Sequence, residues 1–180
     1  MSNDGSVFDA EADAAQKLEE AKTKKIEELS KTCADMINAG VDVQLDPEDP
    51  ESYSHFSYTA EDQQNIKSAF DSVILTNLAV PYHADAMSCR TFAPEEIVKL
   101  YIAEQMNLTH NQTYFNQLKQ MIMKMDNIED VEAVNYGDAL TGEYKETYDT
   151  MMEQTNTIIQ AMTATLSKNE QKEEIVNEIS

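Results

Sequence analysis

The stretch AGVDVQLDPEDPESYSHFSYTAED, residues 39–62, is where the reading of this chain turns from helix to strand and back. Ala39-Gly40 closes a helical pattern, because glycine enters the left-handed conformation that ends a helix without steric penalty. Val41–Leu45 then alternates apolar and polar residues with a period of two, and His55–Thr59 can pair with it. Between them, DPEDPES holds two prolines and an acidic cluster and reads as a solvated hairpin loop. Thr59 followed by Ala-Glu-Asp is a capping-box start, its hydroxyl taking an orphan amide while Asp62 sits in the first turn of the helix dipole. The helix it opens runs to about Asn77, with Ile66, Ala69, Phe70, Val73 and Ile74 as its buried face.

Residues 1–9 read as a flexible tail and residues 10–39 as an N-terminal helix. Its apolar stripe (Leu18, Ile26, Leu29, Cys33, Met36 and Ile37) is convincing only in the second half. The first turns are therefore expected to project from the core or to meet another subunit. Residues 40–140 form the core domain. In it SCRTF, Ser88–Phe92, is a short strand, and Pro94 stands at the first helical position, where its missing amide costs nothing. Thr109 with Gln112 is read as a second capping box, opening a helix whose stripe is Tyr114, Phe115, Leu118, Met121, Ile122 and Met125. NIEDVEAV is a short helical piece and NYGDALTGEY a break. Residues 141–180 form a C-terminal helix and a frayed polar tail. Tyr144, Tyr148, Met151, Thr155, Ile158, Met162 and Thr165 recur there at alternating spacings of four and three, with Met152, Ile159 and Leu166 in a second row. Packing on the chain's own N-terminal helix and self-association both satisfy that pattern. The fold class is thus α+β: a small antiparallel sheet packed with several helices and flanked by long N- and C-terminal helices.

Length and charge bound the function. A chain of 180 residues buries a core without disulfide or metal staples. A net charge of −21, from 34 acidic against 13 basic residues, disfavours nucleic acid and anionic membranes as partners and favours solubility. No apolar run approaches the roughly 20 residues of a membrane span, and the polar, acidic start is unlike a signal peptide, so a cytosolic origin is expected. Two cysteines, Cys33 and Cys89, fit a reduced compartment. The sequons at Asn107 and Asn111 are then coincidental.

The richest chemistry sits in VPYHADAMSCR, Val80–Arg90. A zinc site drawing on His55, His83, Cys89 and His110 lacks the close ligand pairs that zinc sites use. Cys89 beside Arg90 has no glycine-rich oxyanion loop, and no phosphate-binding loop exists. The stretch reads better as a turn in which His83 and Asp85 bond backbone groups. The ten methionines read as core. The expectation is a chain without catalytic residues, metal or cofactor.

AGVDVQL, HFSYTAEDQQNI, PYHADAMSCRTFAPEEI and THNQTYFNQLKQMI, in that order, resemble a family of small phage and prophage proteins encoded among tail genes. They are also similar to the uncharacterised domain appended to phage tail-fibre proteins. The likeness covers roughly residues 33–140. Two departures are the turn Asp85-Ala86-Met87, where the family has Asp-Gly, and the long DPEDPESYS loop in place of a short Asp-Gly turn. The resemblance implies a structural or adaptor component of a phage tail or tail-like particle, at baseplate or tail fibre, present in the host cytoplasm during assembly and then in the virion tail. The alternative is a tail-fibre assembly chaperone absent from the mature particle. Implied partners are other tail proteins and further copies of the chain; the candidate contact residues, read from the helical stripes outside that span, are Leu18, Ile26 and Leu29 at one end and Met151, Ile158 and Met162 at the other.

Overall fold

The structure is a computed structural model that describes the backbone of residues 5–46, 48–49 and 51–179, and the side chains of 11–46, 48–49 and 51–164. Helix α1, Gly5–Ala39, is followed by strands β1, Val41–Gln44, and β2, Tyr53–Phe56. Helix α2, Ala60–Thr76, leads to strands β3, Val80–Tyr82, and β4, Arg90–Phe92. Helices α3, Pro94–Lys124, α4, Ile128–Ala133, and α5, Gly142–Ile179, complete an α+β fold with long terminal helices.

The strands make two separate antiparallel hairpins, not one sheet. In the first, Val41 faces Phe56 and Asp42 faces His55. In the second, which the sequence reading reduced to a turn and one strand, Val80 faces Phe92 and Tyr82 faces Arg90. Pro81 is accommodated because a two-stranded ribbon consists of edges, where a proline need not donate to a ladder.

Helix α3 organises the interior. Its 31 residues span about 46 Å at 1.5 Å per residue, enough to serve two separate cores. Ile97 and Leu100, in its first turns, close a core with Val43, Phe56, Ile66, Val73 and Phe92 from the hairpins and α2. Leu118 and Ile122, near its end, close a second core with Leu29 of α1, Val131 of α4, and Val134 and Leu140 of the following loop. The expected break at Thr109 does not occur. Nothing between Met106 and Gln112 is a helix breaker, so the backbone ladder continues and Thr109 is an interior residue. The N-terminus of α3 is held by Glu96, whose carboxylate accepts the Ala93 amide at 2.8 Å and a bidentate contact from Arg90. The hydrogen bond from the Arg90 guanidinium holds the Glu96 carboxyl below the usual carboxylate range.

Two helix boundaries and one strand move, β2 spanning Tyr53–Phe56 where His55–Thr59 was expected, and one residue assigned to the core is exposed. Helix α1 starts at Gly5, ahead of the expected Ala10, so residues 5–9 are helical and only residues 1–4 of the expected tail lie outside the described residues. The backbone of α5 is helical to Ile179 through the stretch expected to fray. Ile74, assigned to the buried face of α2, is 43 % exposed, whereas Ile66 and Val73 are core and Ala69 and Phe70 pack beside them. Helix α2 does begin with the capping box read from Thr59 and Asp62.

Gly40 is tightly enclosed by the neighbouring backbone. It has φ +72°, and a Cβ built there would lie 1.7 Å from the Phe56 carbonyl oxygen, so the turn out of α1 admits glycine alone. The adjoining backbone is sealed by the Tyr58 amide donating to the Asn38 carbonyl.

Candidate functional site

The residues of VPYHADAMSCR fasten one hairpin to the other. The Asp85 amide donates to the His55 carbonyl at 3.0 Å, and the Asp85 carboxylate accepts the Ser57 amide at 3.0 Å and the Ser57 hydroxyl. Ala86 adopts φ +56°, a left-handed turn conformation that costs a non-glycine residue about 1 kcal/mol and here lets Asp85 reach back. His83 bonds the Ala84 carbonyl and stacks on Tyr82, while Cys89 is exposed. The stretch therefore docks β3 and β4 against β2.

Across the first hairpin, His55 Nδ1 lies 2.8 Å from Asp42 Oδ1 and Nε2 lies 2.8 Å from the Ala39 carbonyl oxygen. Both partners are acceptors, so both ring nitrogens are satisfied only in the imidazolium form. The Asp42 hydrogen bond accordingly raises the His55 pKa, against a smaller opposing effect of burial.

Between α2 and the second hairpin lies a cleft of about 390 Å³. Phe56, Val80 and Tyr82 give it an apolar wall, and Asp62, Asn65, Ser68, His83 and Asp85 give it polar atoms. Asp62 is positioned by the capping box, accepting the Thr59 amide and hydroxyl, and Asp85 by its clasp on Ser57. Each carboxylate is held by neutral donors.

Beyond the Tyr82 wall, Tyr58 and Glu104 are buried, and the Tyr58 hydroxyl and Glu104 Oε2 have no hydrogen-bond partner among the described residues. Burial pushes the Glu104 carboxyl up to about 7, with partial relief from Gln105. Burial also raises Tyr58, and the Glu104 charge adds to the shift. The sequence carried a faint sign of this arrangement, since Glu104 stands seven and four residues after Ile97 and Leu100, on the same apolar face of the helix.

The six candidate interface residues divide. Leu29 is 1 % exposed in the second core, and Leu18 and Ile26 are half-buried against it. As candidates for an exposed interface these three are corrected: α1 packs along α3, with Lys22 donating to the Met123 carbonyl at the α3 C-terminus, and its stripe, except for the half-exposed Met36, packs within the chain. Helix α5 runs antiparallel to α3, tied by Lys124 to Glu143 at 2.7 Å and by Tyr148 to His110. Tyr144 and Tyr148 enter the second core. Further along, the two rows part: Met152, Thr155, Ile159 and Met162 are half-buried, whereas Met151 is 37 % and Ile158 68 % exposed. The half-buried set takes Thr155 and Met162 from the first row and Met152 and Ile159 from the second, a partition the sequence left open. A helix with two adjacent apolar rows can turn either or parts of both toward its neighbour, and tertiary packing alone decides.

His55, His83, Cys89 and His110 are dispersed among these separate contacts, and no group of three or more His, Cys, Asp or Glu residues suited to a metal occurs among the described residues. No helix among the described residues is long and apolar enough to cross a membrane. Compared with protein families, curated proteins and solved structures, the chain finds no match.

Proposed function

We propose that this chain is a structural or adaptor component of a phage tail or tail-like particle, associated with the baseplate or tail fibres, and that it acts by packing α5 against neighbouring subunits. The observation that carries the packing mode is Ile158, 68 % exposed, together with Met151 on the same helix. Residues 150–167 contain one charged residue, Glu153, in a chain of net charge −21. Copies or partners that repel one another elsewhere can approach along this segment without opposing charge, and burial of Ile158 would contribute about 1.5–3 kcal/mol per side chain. The tail context is supported by the ordered resemblance across residues 33–140. On that reading the chain is in the host cytoplasm during assembly and in the virion tail thereafter.

The test is light scattering coupled to size-exclusion chromatography at physiological salt, on the full chain and on Ile158→Glu. A defined oligomer that becomes a monomer with an unchanged melting temperature in the variant supports the packing mode. A monomeric wild type overturns self-association through this face. Detection in purified particles separates a tail component from an assembly chaperone.

A further inference from the structure

We propose that the cleft between α2 and the β3–β4 hairpin is a binding site for a basic side chain, Lys or Arg, presented by a partner protein. None of its lining residues comes from α5, so the assignment stands apart from the packing mode of that helix.

The cleft's 390 Å³ falls at the small end of ligand pockets, which run roughly from 300 to 1,000 Å³. That suits one long side chain with its adjoining backbone. Its lining contains two carboxylates, Asp62 and Asp85, and neither lysine nor arginine. Phosphates and carboxylates therefore meet repulsion there, and a cation meets attraction. The basic side chains of the flanking elements are engaged away from it, Lys67 with Asp71 at 2.9 Å and Arg90 with Glu96 at 2.6 Å. His55, an imidazolium with its ring nitrogens committed to Asp42 and Ala39, lies 4.0 Å from Asp85 and offsets part of that carboxylate's charge.

A third carboxylate acts from behind. Glu104 is 1 % exposed, its Oε2 is without a hydrogen-bond partner, and its charge raises the Tyr82 hydroxyl together with Asp62 and Asp85. Burial is the larger cause of that shift, to about 12. Asp62 and Asp85, joined from behind by Glu104 in its ionised form, place negative potential at the cleft wall. Phe56 and Tyr82 supply the apolar surface against which a Lys or Arg stem packs while its head reaches the carboxylates. The hydroxyls of Ser68 and Ser72 donate to carbonyls within α2 and do not block the opening.

The experiment is a titration of the isotope-labelled full chain, followed by amide chemical shifts, with N-acetyl-arginine amide, N-acetyl-lysine amide, N-acetyl-glutamine amide and putrescine. Saturable shifts confined to residues 57–72 and 80–85 with the arginine or lysine probe, absent with the glutamine probe and weakened at high salt, support the site. Ser68→Arg and Asn65→Lys each place a cation at the exposed rim, and with melting temperatures unchanged either should abolish those shifts. Equal shifts with the glutamine probe, shifts spread over the acidic surface, or shifts that survive both variants overturn it. A response to putrescine alone overturns the protein side chain in favour of a free amine.

Discussion

Replacing Glu104 by glutamine tests the energetics of the interior most directly. In the unfolded chain this carboxyl titrates near its ordinary value of 4.5, and in the fold near 7. The folded state then binds the proton more tightly, so this group's contribution is fully present below pH 4.5 and is lost as pH rises through 7. At about 1.4 kcal/mol per tenfold, the full loss is about 3 kcal/mol, of which about 2 kcal/mol develops between about pH 5.5 and pH 8.5. A glutamine side chain at this position fills the same volume and carries no charge to desolvate. Urea unfolding of wild type and Glu104→Gln across that pH window should give curves that diverge upward, with the variant gaining about 2 kcal/mol on the wild type by about pH 8.5. The same window lies clear of the isoelectric point near 4.2. Tyr58→Phe, which removes the neighbouring unpaired hydroxyl, should be neutral or stabilising and leave the pH slope in place. Parallel pH curves for wild type and Glu104→Gln would refute the claim that the carboxyl is buried without adequate partners.

Gly40→Ala should be among the most damaging single substitutions, by about 3 kcal/mol or more, because the methyl meets the Phe56 backbone and the turn is left-handed; the drop in urea midpoint measures it. His55 should titrate above the ordinary 6.5 when followed by its ring proton shifts, and Asp42→Asn should bring it down. The linked stability is present below pH 6.5 and fades as pH rises through the raised value. One thiol, Cys89, should react with a thiol reagent in the native protein and two in denaturant. Burial raises the pKa of the Cys33 thiol, which donates to the Asn111 carbonyl.

Residue type and spacing alone determined a good part of this molecule. The helix stop at Gly40, the hairpin across DPEDPES, the capping box at Thr59 and the proline start of α3 follow from local chemistry acting over a few residues, although β2 lies at Tyr53–Phe56 and not at the expected His55–Thr59. Sequence also located the turn at Asp85, because histidine and aspartate after a proline have few better uses. The continuity of α3 through Thr109 was not legible, since a Thr-x-x-Gln pattern caps a helix only where the preceding backbone has left helical geometry, and here it has not. Nor was the partition of the terminal helices. Leu18, Ile26 and Leu29 face inward, while Met151 and Ile158 remain exposed, and both sets occupy apolar stripes.

The burial of Glu104 and the cleft in front of Tyr82 belong to the same kind of fact. They arise where α2, α3 and two hairpins meet, from residues distant along the chain, and no periodicity within one element records what a neighbour will cover. Sequence by itself determined the order of the helices flanking the first hairpin, their start and stop signals and the strongly acidic composition, because propensity, capping and charge are properties of neighbouring residues. Tertiary structure decided which apolar face is core, which carboxylate loses its water and where a concavity forms, because each depends on distance in space and not along the chain.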